Sequence, residues 1–400
     1  MPTGMAATGP HVLRKINAAA VLGALRDADD QTARVSDLVL ATGLSRPAVT
    51  RALATLGDAR VVESLATTSA QVGRPAVRVR FRAELGHVAG VDVGSHRVQV
   101  TITDLAGTVC AARRKVPPPN VSGIRLVELV LVALSDAAAD AGIDPAELWA
   151  VGVGTPGIVN HQRGEVVLAP SMPDWKGVPL VDELRAWLGC PVLIDNDVNL
   201  AVVAERWRGE ASDNLLFVHW GERIGSGIVI DGKPYRGASS AAGELGFIDL
   251  ATPIDEEPPQ LGDGLGAFER LVAAGAIHAM AMDRCDDGLR ERLADGDLAP
   301  LFEEAAAGSA AAMSVVDTIA ARFARGLATQ ILILDPQRVI VGGGVSRAGD
   351  TLIDAVRAHL RRLLLVPVDL RASTLRENGV VLGAIRMALD AAEERLSALL

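Results

Sequence analysis

The sequence predicts an α/β protein in two parts, a small winged helix-turn-helix at the amino end and a large two-lobed α/β body behind it. A helix, a glycine turn and a capped helix follow one another between residues 35 and 56. From His87 onward, short strands of alternating apolar and polar residues give way to strands interleaved with helices. Charge is divided in the same way. Residues 1–82 hold 11 Lys and Arg against 6 Asp and Glu, a balance of +5, while the remainder carries −15 within an overall −10. That asymmetry suits a small module that touches phosphates and a large one that handles something else.

A 400-residue chain that is 49% hydrophobic can bury a full core and divides into two or three domains. No run of eighteen apolar residues occurs, and the first charges follow the mildly apolar start, the reverse of a signal peptide. A cytoplasmic protein with no membrane partner is expected. Cys110, Cys190 and Cys285 are odd in number, far apart and free of any CxxC spacing, so neither a disulfide framework nor a cysteine-rich metal site is encoded.

The first helix is read over residues 14–25, with Ile16, Ala19, Ala20, Leu22 and Leu25 as its apolar stripe. A second spans 35–41 with Leu38 and Val39 inside, and Thr42, Gly43 and Leu44 make the turn. Ser45 caps a third helix with Pro47 in its first turn. There Val49, Leu53 and Leu56 point inward, leaving Arg46, Thr50 and Arg51 on the groove-facing side. Strands at 60–65 and 76–81 flank a polar, turn-prone segment ending in Gly73, Arg74 and Pro75, which reads as a wing. Arg78, Arg80 and Arg82 alternate with Val77, Val79 and Phe81, so one face packs and the other is basic. The expected DNA contacts are Ser45, Arg46, Thr50, Arg51 and Arg74, in a domain of residues 1–83.

In the body, residues 84–400, three strands at 87–95, 97–104 and 108–115 are followed by a helix at 126–141 and a strand at 150–155. The apolar strand Val192 to Ile194 then ends in Asp195, Asn196, Asp197 and Asn199 before a helix with Leu200, Val203 and Ala204 on its apolar face. Asn199 or Asp197 can cap that helix. The carboxyl end of such a strand is where open α/β sheets bind ligands, although four polar residues there also suit a plain helix cap. A second lobe starts near Asn214, holds a long helix at 313–332 and reaches a glycine-rich turn after Val339.

PVLIDNDVNLAVVAER at 191–206 keeps company with DVGS (92–95), GTPG (154–157), GERIGSG (221–227), GELGF (243–247) and GGGVSRAGD (342–350). In this order and spacing they resemble the ROK family of repressors, open reading frames and kinases, across nearly the whole chain. SRPAVTRAL followed by GRPA is similar to the amino-terminal pattern of that family's regulators. The resemblance implies a ribonuclease H-like (actin/hexokinase-like) body with a ligand cleft between its lobes. Lobe one would take in about 87–205 plus a final helix at 383–399, and lobe two about 206–382. It also places Asp197 on the family's catalytic Asp, which accepts a sugar hydroxyl's proton, and Thr155, Asn196, Glu244 and Glu269 on ligand positions.

The same resemblance shows where this chain departs. Asp92 and Gly94 fit the first phosphate loop, but His96 stands where a hydroxyl residue is usual. The second loop, usually GTGxGxG, holds Glu222 and Arg223 before Gly225 and Gly227. At ~5 Å and an effective dielectric of ~20, that carboxylate opposes each phosphate charge by roughly 3 kcal/mol unless Arg223 neutralises it. The family's zinc ligands are replaced by Phe247, Gln260, Gly262 and Ala267, and Ser171 and Asp174 depart from the usual NLPGW. The expectation is a DNA-binding transcription regulator, a repressor of carbohydrate-related genes controlled by a sugar or sugar derivative, with no catalytic residue, no zinc and no ATP. A homo-oligomer, dimer or tetramer, would bind an inverted-repeat operator. The alternatives are a bifunctional ATP-dependent sugar kinase and a regulator controlled by a protein partner.

Overall fold

The computed structural model describes residues 10–65, 78–209, 211–253, 255–257 and 264–399. The amino-terminal domain runs α1 (Pro10–Arg26), β1 (Thr32–Arg34), α2 (Val35–Thr42), α3 (Arg46–Asp58), β2 (Val62–Leu65) and β3 (Arg78–Phe81). β3 lies between β1 and β2, antiparallel to both. Helices α2 and α3 meet at Gly43, whose φ of 67° closes the turn in the left-handed region that glycine adopts without strain. Only the second half of α1 packs on α2 and α3, through Ala18, Val21, Leu22 and Leu25. The expected stripe is therefore corrected: Ile16, Ala19 and Ala20 are exposed, because the buried face starts one turn later and on a rotated register. Ser45 occupies the N-cap position of α3 in extended backbone, yet its side chain makes no capping hydrogen bond. The expected wing, with Arg74, lies outside the described residues.

Lobe one contains β4 (His87–Val93), β5 (Val98–Asp104), β6 (Val109–Lys115), α4 (Gly123–Ala141), β7 (Leu148–Thr155), β8 (Ile158–Asn160), β9 (Glu165–Leu168), α5 (Leu180–Leu188), β10 (Val192–Asn196) and α6 (Asp197–Arg208). Its sheet has the order β10-β7-β4-β5-β6, with β4, β5 and β6 antiparallel and β7 and β10 parallel to β4.

Lobe two contains β11 (Leu215–Trp220), β12 (Ile224–Ile230), β13 (Lys233–Tyr235), α7 (Glu269–Val272), α8 (Ala274–Arg284), α9 (Asp287–Arg292), α10 (Ala299–Ala306), α11 (Ala310–Leu334), β14 (Arg338–Gly342), α12 (Asp350–Leu360) and β15 (Asp369–Ala372). Its sheet, β13-β12-β11-β14-β15, repeats the pairing of lobe one strand for strand: three antiparallel strands, then two parallel to the first. The final helix α13 (Gly379–Ala398) leaves lobe two and packs on β4 and β7 of lobe one and on α6.

Close approach explains two glycines in this packing. A Cβ on Gly152 would fall 2.1 Å from the Ala384 carbonyl oxygen, and one on Gly383 would fall 1.9 Å from that of Leu200. α13 thus lies directly on β7 and on α6, and any side chain at either position would force them apart. Lobe two has its own core, in which Trp220 and Phe323 stack with centroids 3.6 Å apart. A second core fills lobe one beneath α4. The third is shared: buried residues of α1, α3 and β3 are continuous with Leu105, Trp149, Ile385 and Leu389. The amino-terminal domain is therefore built into the body by apolar packing. Among the described residues no helix is long and apolar enough to cross a membrane.

Candidate functional site

Strand β10 and helix α6 bring four polar residues to the cleft between the two sheets. Asn196 is the N-cap of α6: its Oδ1 accepts from the Val198 and Asn199 amides at 2.9 and 3.1 Å, and its Nδ2 donates to the Gly157 carbonyl at 2.9 Å. This corrects the expected cap, Asn199 or Asp197, because only the residue preceding the first helical turn has the extended backbone that aims a side chain at those amides. Asn199 is buried and donates to Asp195 at 3.4 Å. Val202 rather than Val203 is the fully buried valine of the helix.

Asp197, the first residue of α6, is half-buried. Burial first, then the nearby Asp92 and Glu244 carboxyls, push it up to about 7. Glu244 is also pushed above the usual carboxylate range, by burial and then by Glu269. A carboxyl poised near neutral pH can take a proton from a hydroxyl, and two acceptors facing one another suit a polyol. Two other predicted ligand residues already have partners within the protein. Thr155 is fully buried and its hydroxyl accepts from the Trp175 indole at 2.6 Å. Glu269, 3% exposed, accepts from the Ile224 and Gly266 amides, each at 2.8 Å, and so braces the GERIGSG segment.

Two strands away from β10 in the same sheet, Asp92 is buried at the end of β4 and pairs with Arg97. Burial raises its carboxyl while the Arg97 charge pulls it back. Gly94 donates to the Arg97 carbonyl at 2.7 Å. Glu377, just before α13, gathers Arg97 at 3.4 Å, Arg114 at 3.1 Å and Arg347 at 3.8 Å. Arg223 does not shield Glu222: its guanidinium turns to the Gly264 carbonyl and to Glu269. Glu222 faces His96 at 3.5 Å, both side chains well exposed. Gly225 and Gly227 lie inside β12, where a Cβ would fall 3.1 Å from the Val198 side chain and 2.6 Å from its carbonyl respectively. Helix packing alone accounts for them. Half-buried His219 on β11 is pulled down to about 4 by desolvation and by Arg97, so it is neutral at physiological pH.

At the zinc positions, Phe247 and Ala267 offer no donor atom, which does not fit a metal, while Gln260 and Gly262 lie outside the described residues. One contact was not anticipated. Asp195, 3% exposed, is held by Arg236 of lobe two at 2.6 Å, so the polar strand end is also a tie between lobes.

On the amino-terminal domain, Ser45, Arg46, Thr50 and Arg51 are exposed along the start of α3. The Thr50 hydroxyl donates to the Arg46 carbonyl at 2.9 Å. The basic face expected of β3 is largely neutralised, since Arg80 pairs with Glu63 and Glu84, and Arg82 with Glu84.

Comparison with known proteins agrees with this geometry. The ROK family model matches residues 88–391, and the IclR helix-turn-helix domain model matches residues 16–66. A putative xylose repressor of Caldicellulosiruptor sp. is 27% identical over 80% of this chain and 82% of its own length. A glucokinase of Halalkalibacterium halodurans is 30% identical over 74% of this chain and 92% of its own. In structure, a ROK family transcriptional regulator described as a homolog of the E. coli MLC protein superposes with a TM-score of 0.74 at 21% identity, covering 97% of this chain and 99% of that one. With a family model spanning both lobes and the cleft, the chain belongs to the ROK family and carries a helix-turn-helix domain at its amino end.

Proposed function

We propose that the protein is a transcription regulator, a repressor, that binds an operator through α3 and is released or set by a sugar in the cleft. The observation that carries this reading is the shared core: a helix-turn-helix packed into lobe one can feel a ligand that moves the lobes. Asp197 and Glu244 supply the sugar's acceptors. The names of the relatives make D-xylose and D-glucose the first sugars to try. Kinase activity is absent in this reading, because Arg97 occupies Asp92 and Glu222 stands unshielded in the second loop. Zinc has no place, and a two-fold oligomer presents two α3 helices to an inverted repeat.

The test is an operator titration with and without each sugar, on DNA selected by the protein itself. If Arg51 reads a base, Arg51→Ala weakens the operator by ~1 to 3 kcal/mol and random DNA far less. Equal losses on both mean a phosphate contact only. Phosphoryl transfer to these sugars at about 1 to 100 per second would favour the bifunctional kinase instead.

A further inference from the structure

Helix α6 has its two ends in two different places. Its first residue is Asp197 in the cleft, and the helix, twelve residues and about 18 Å long at the α-helical rise, ends at Trp207 and Arg208. These lie against the turn joining β5 to β6. The Arg208 guanidinium stacks over the Trp207 ring at 4.1 Å and donates to the Ala106 carbonyl at 3.4 Å. A Cβ on Gly107 would fall 2.8 Å from Arg208 and 3.0 Å from Trp207, so helix end and turn are in direct contact.

The other side of that turn belongs to the amino-terminal domain. Arg26 of α1 donates to the Leu105 carbonyl at 3.4 Å and pairs with Glu393 of α13, and the Leu105 amide donates to the Ala83 carbonyl at 3.1 Å. Along its length α6 is closely packed on both sides. Gly383 brings its backbone onto α13 of lobe one, and Gly227 brings it onto β12 of lobe two. The joint around Arg26, Trp207, Arg208, Arg386 and Glu393 is different, because it borders a half-open polar pocket of about 350 Å³. Close packing resists small displacements, whereas an open polar pocket leaves room for one.

We propose that α6 is the element that carries the state of the cleft to the DNA-binding domain, moving as a rigid body and pressing on α1 through the turn at residues 104–108. This rests on the reading that the cleft takes a sugar. A ligand drawn onto Asp197 acts on one end of a helix clasped by both lobes, and the Trp207–Arg208 end resets α1, which packs on α2 and α3. The warrant is a single stiff element in contact with both sites.

The experiment uses the full-length protein with Arg208→Ala, an exposed position, and with Glu393→Gln on the opposite wall of the joint. Binding of D-glucose and D-xylose is measured by calorimetry, and operator affinity by fluorescence anisotropy with and without saturating sugar. Both variants are expected to bind sugar within twofold of the parent and ligand-free operator within threefold. Their ratio of operator dissociation constants with and without sugar falls at least threefold toward one. A ratio unchanged in both variants overturns the coupling role while leaving the sugar site intact. A parent protein that binds neither sugar, or whose operator affinity ignores them, overturns the functional reading and the coupling with it.

Discussion

At the proposed sugar site the Glu244 charge acts on Asp197 and, among the described residues, neither has a basic partner, so both carboxyls are held toward their neutral forms. On the phosphate side the acids are already engaged: Asp92 holds Arg97, and Glu377 gathers Arg97, Arg114 and Arg347. An incoming hydroxyl therefore meets acceptors in need of a donor. An incoming phosphate must displace pairs the protein already makes and approach Glu222 as well. In the proposed reading, the site that would take a sugar keeps its acceptors free, while the acids that would meet a phosphate are engaged in internal ion pairs.

The largest expected effect tests the unpartnered state of Asp197. Its folded value of about 7 lies above the ordinary 3.8, so the stability it contributes is full below pH 4 and is lost as pH rises through 7. Asp197→Asn, which mimics the neutral acid, should stabilise the ligand-free protein above pH 7 by up to about 4 kcal/mol and progressively less toward pH 4. Urea melts at pH 5 and 8 measure it, and equal differences at both would show an ordinary carboxylate.

The next effect probes what backs the sugar side. Arg236→Ala leaves Asp195 as an uncompensated buried charge and should cost about 3 kcal/mol in a urea melt. A loss below about 1 kcal/mol means water reaches the pair and the tie between lobes is weak.

Ligand affinity comes third. Asp197→Ala should weaken the sugar by about 1.5 to 3 kcal/mol and leave ligand-free operator affinity nearly unchanged, giving a repressor deaf to its ligand. In the unaltered protein, sugar binding should tighten about fivefold between pH 6 and 8, as the carboxyl ionises and its hydrogen bonds become charge-assisted. Calorimetry across that range checks it, and a flat profile would place the sugar's main contacts elsewhere.

The smallest effect belongs to the phosphate side. Glu222 is well exposed, so its repulsion is screened below the roughly 3 kcal/mol of an unscreened estimate, and Glu222→Thr should tighten a nucleotide by about 1 kcal/mol. Adding Arg97→Ser should raise it further if the Asp92 pair is the larger obstacle. An Arg97→Ser change that does nothing to nucleotide binding would break the contrast between the two sides.

The sequence by itself determined the elements whose signals are local. Gly43 between two amphipathic helices, the alternation from His87 and the apolar run before Asp195 each follow from backbone periods of 3.6 or 2 and from a turn that needs a positive φ. Motif order also led it to expect Asp197 and Glu244 at one site, and the Glu244 charge is among those that raise Asp197. Where it went astray, at Ile16 and at the α6 cap, the pattern was right and its phase was off by a residue or a turn. Phase depends on which neighbour covers the element. Only the tertiary structure decided where charged and polar groups spend their hydrogen bonds. It turned Glu269 onto the Ile224 and Gly266 amides, Thr155 onto Trp175, Arg223 away from Glu222, and Arg236 onto Asp195. It also joined Arg26 to Glu393 from opposite ends of the chain. Such pairs leave no trace in spacing, because a long side chain takes the partner that topology brings within reach, and topology is set by the packing of whole elements.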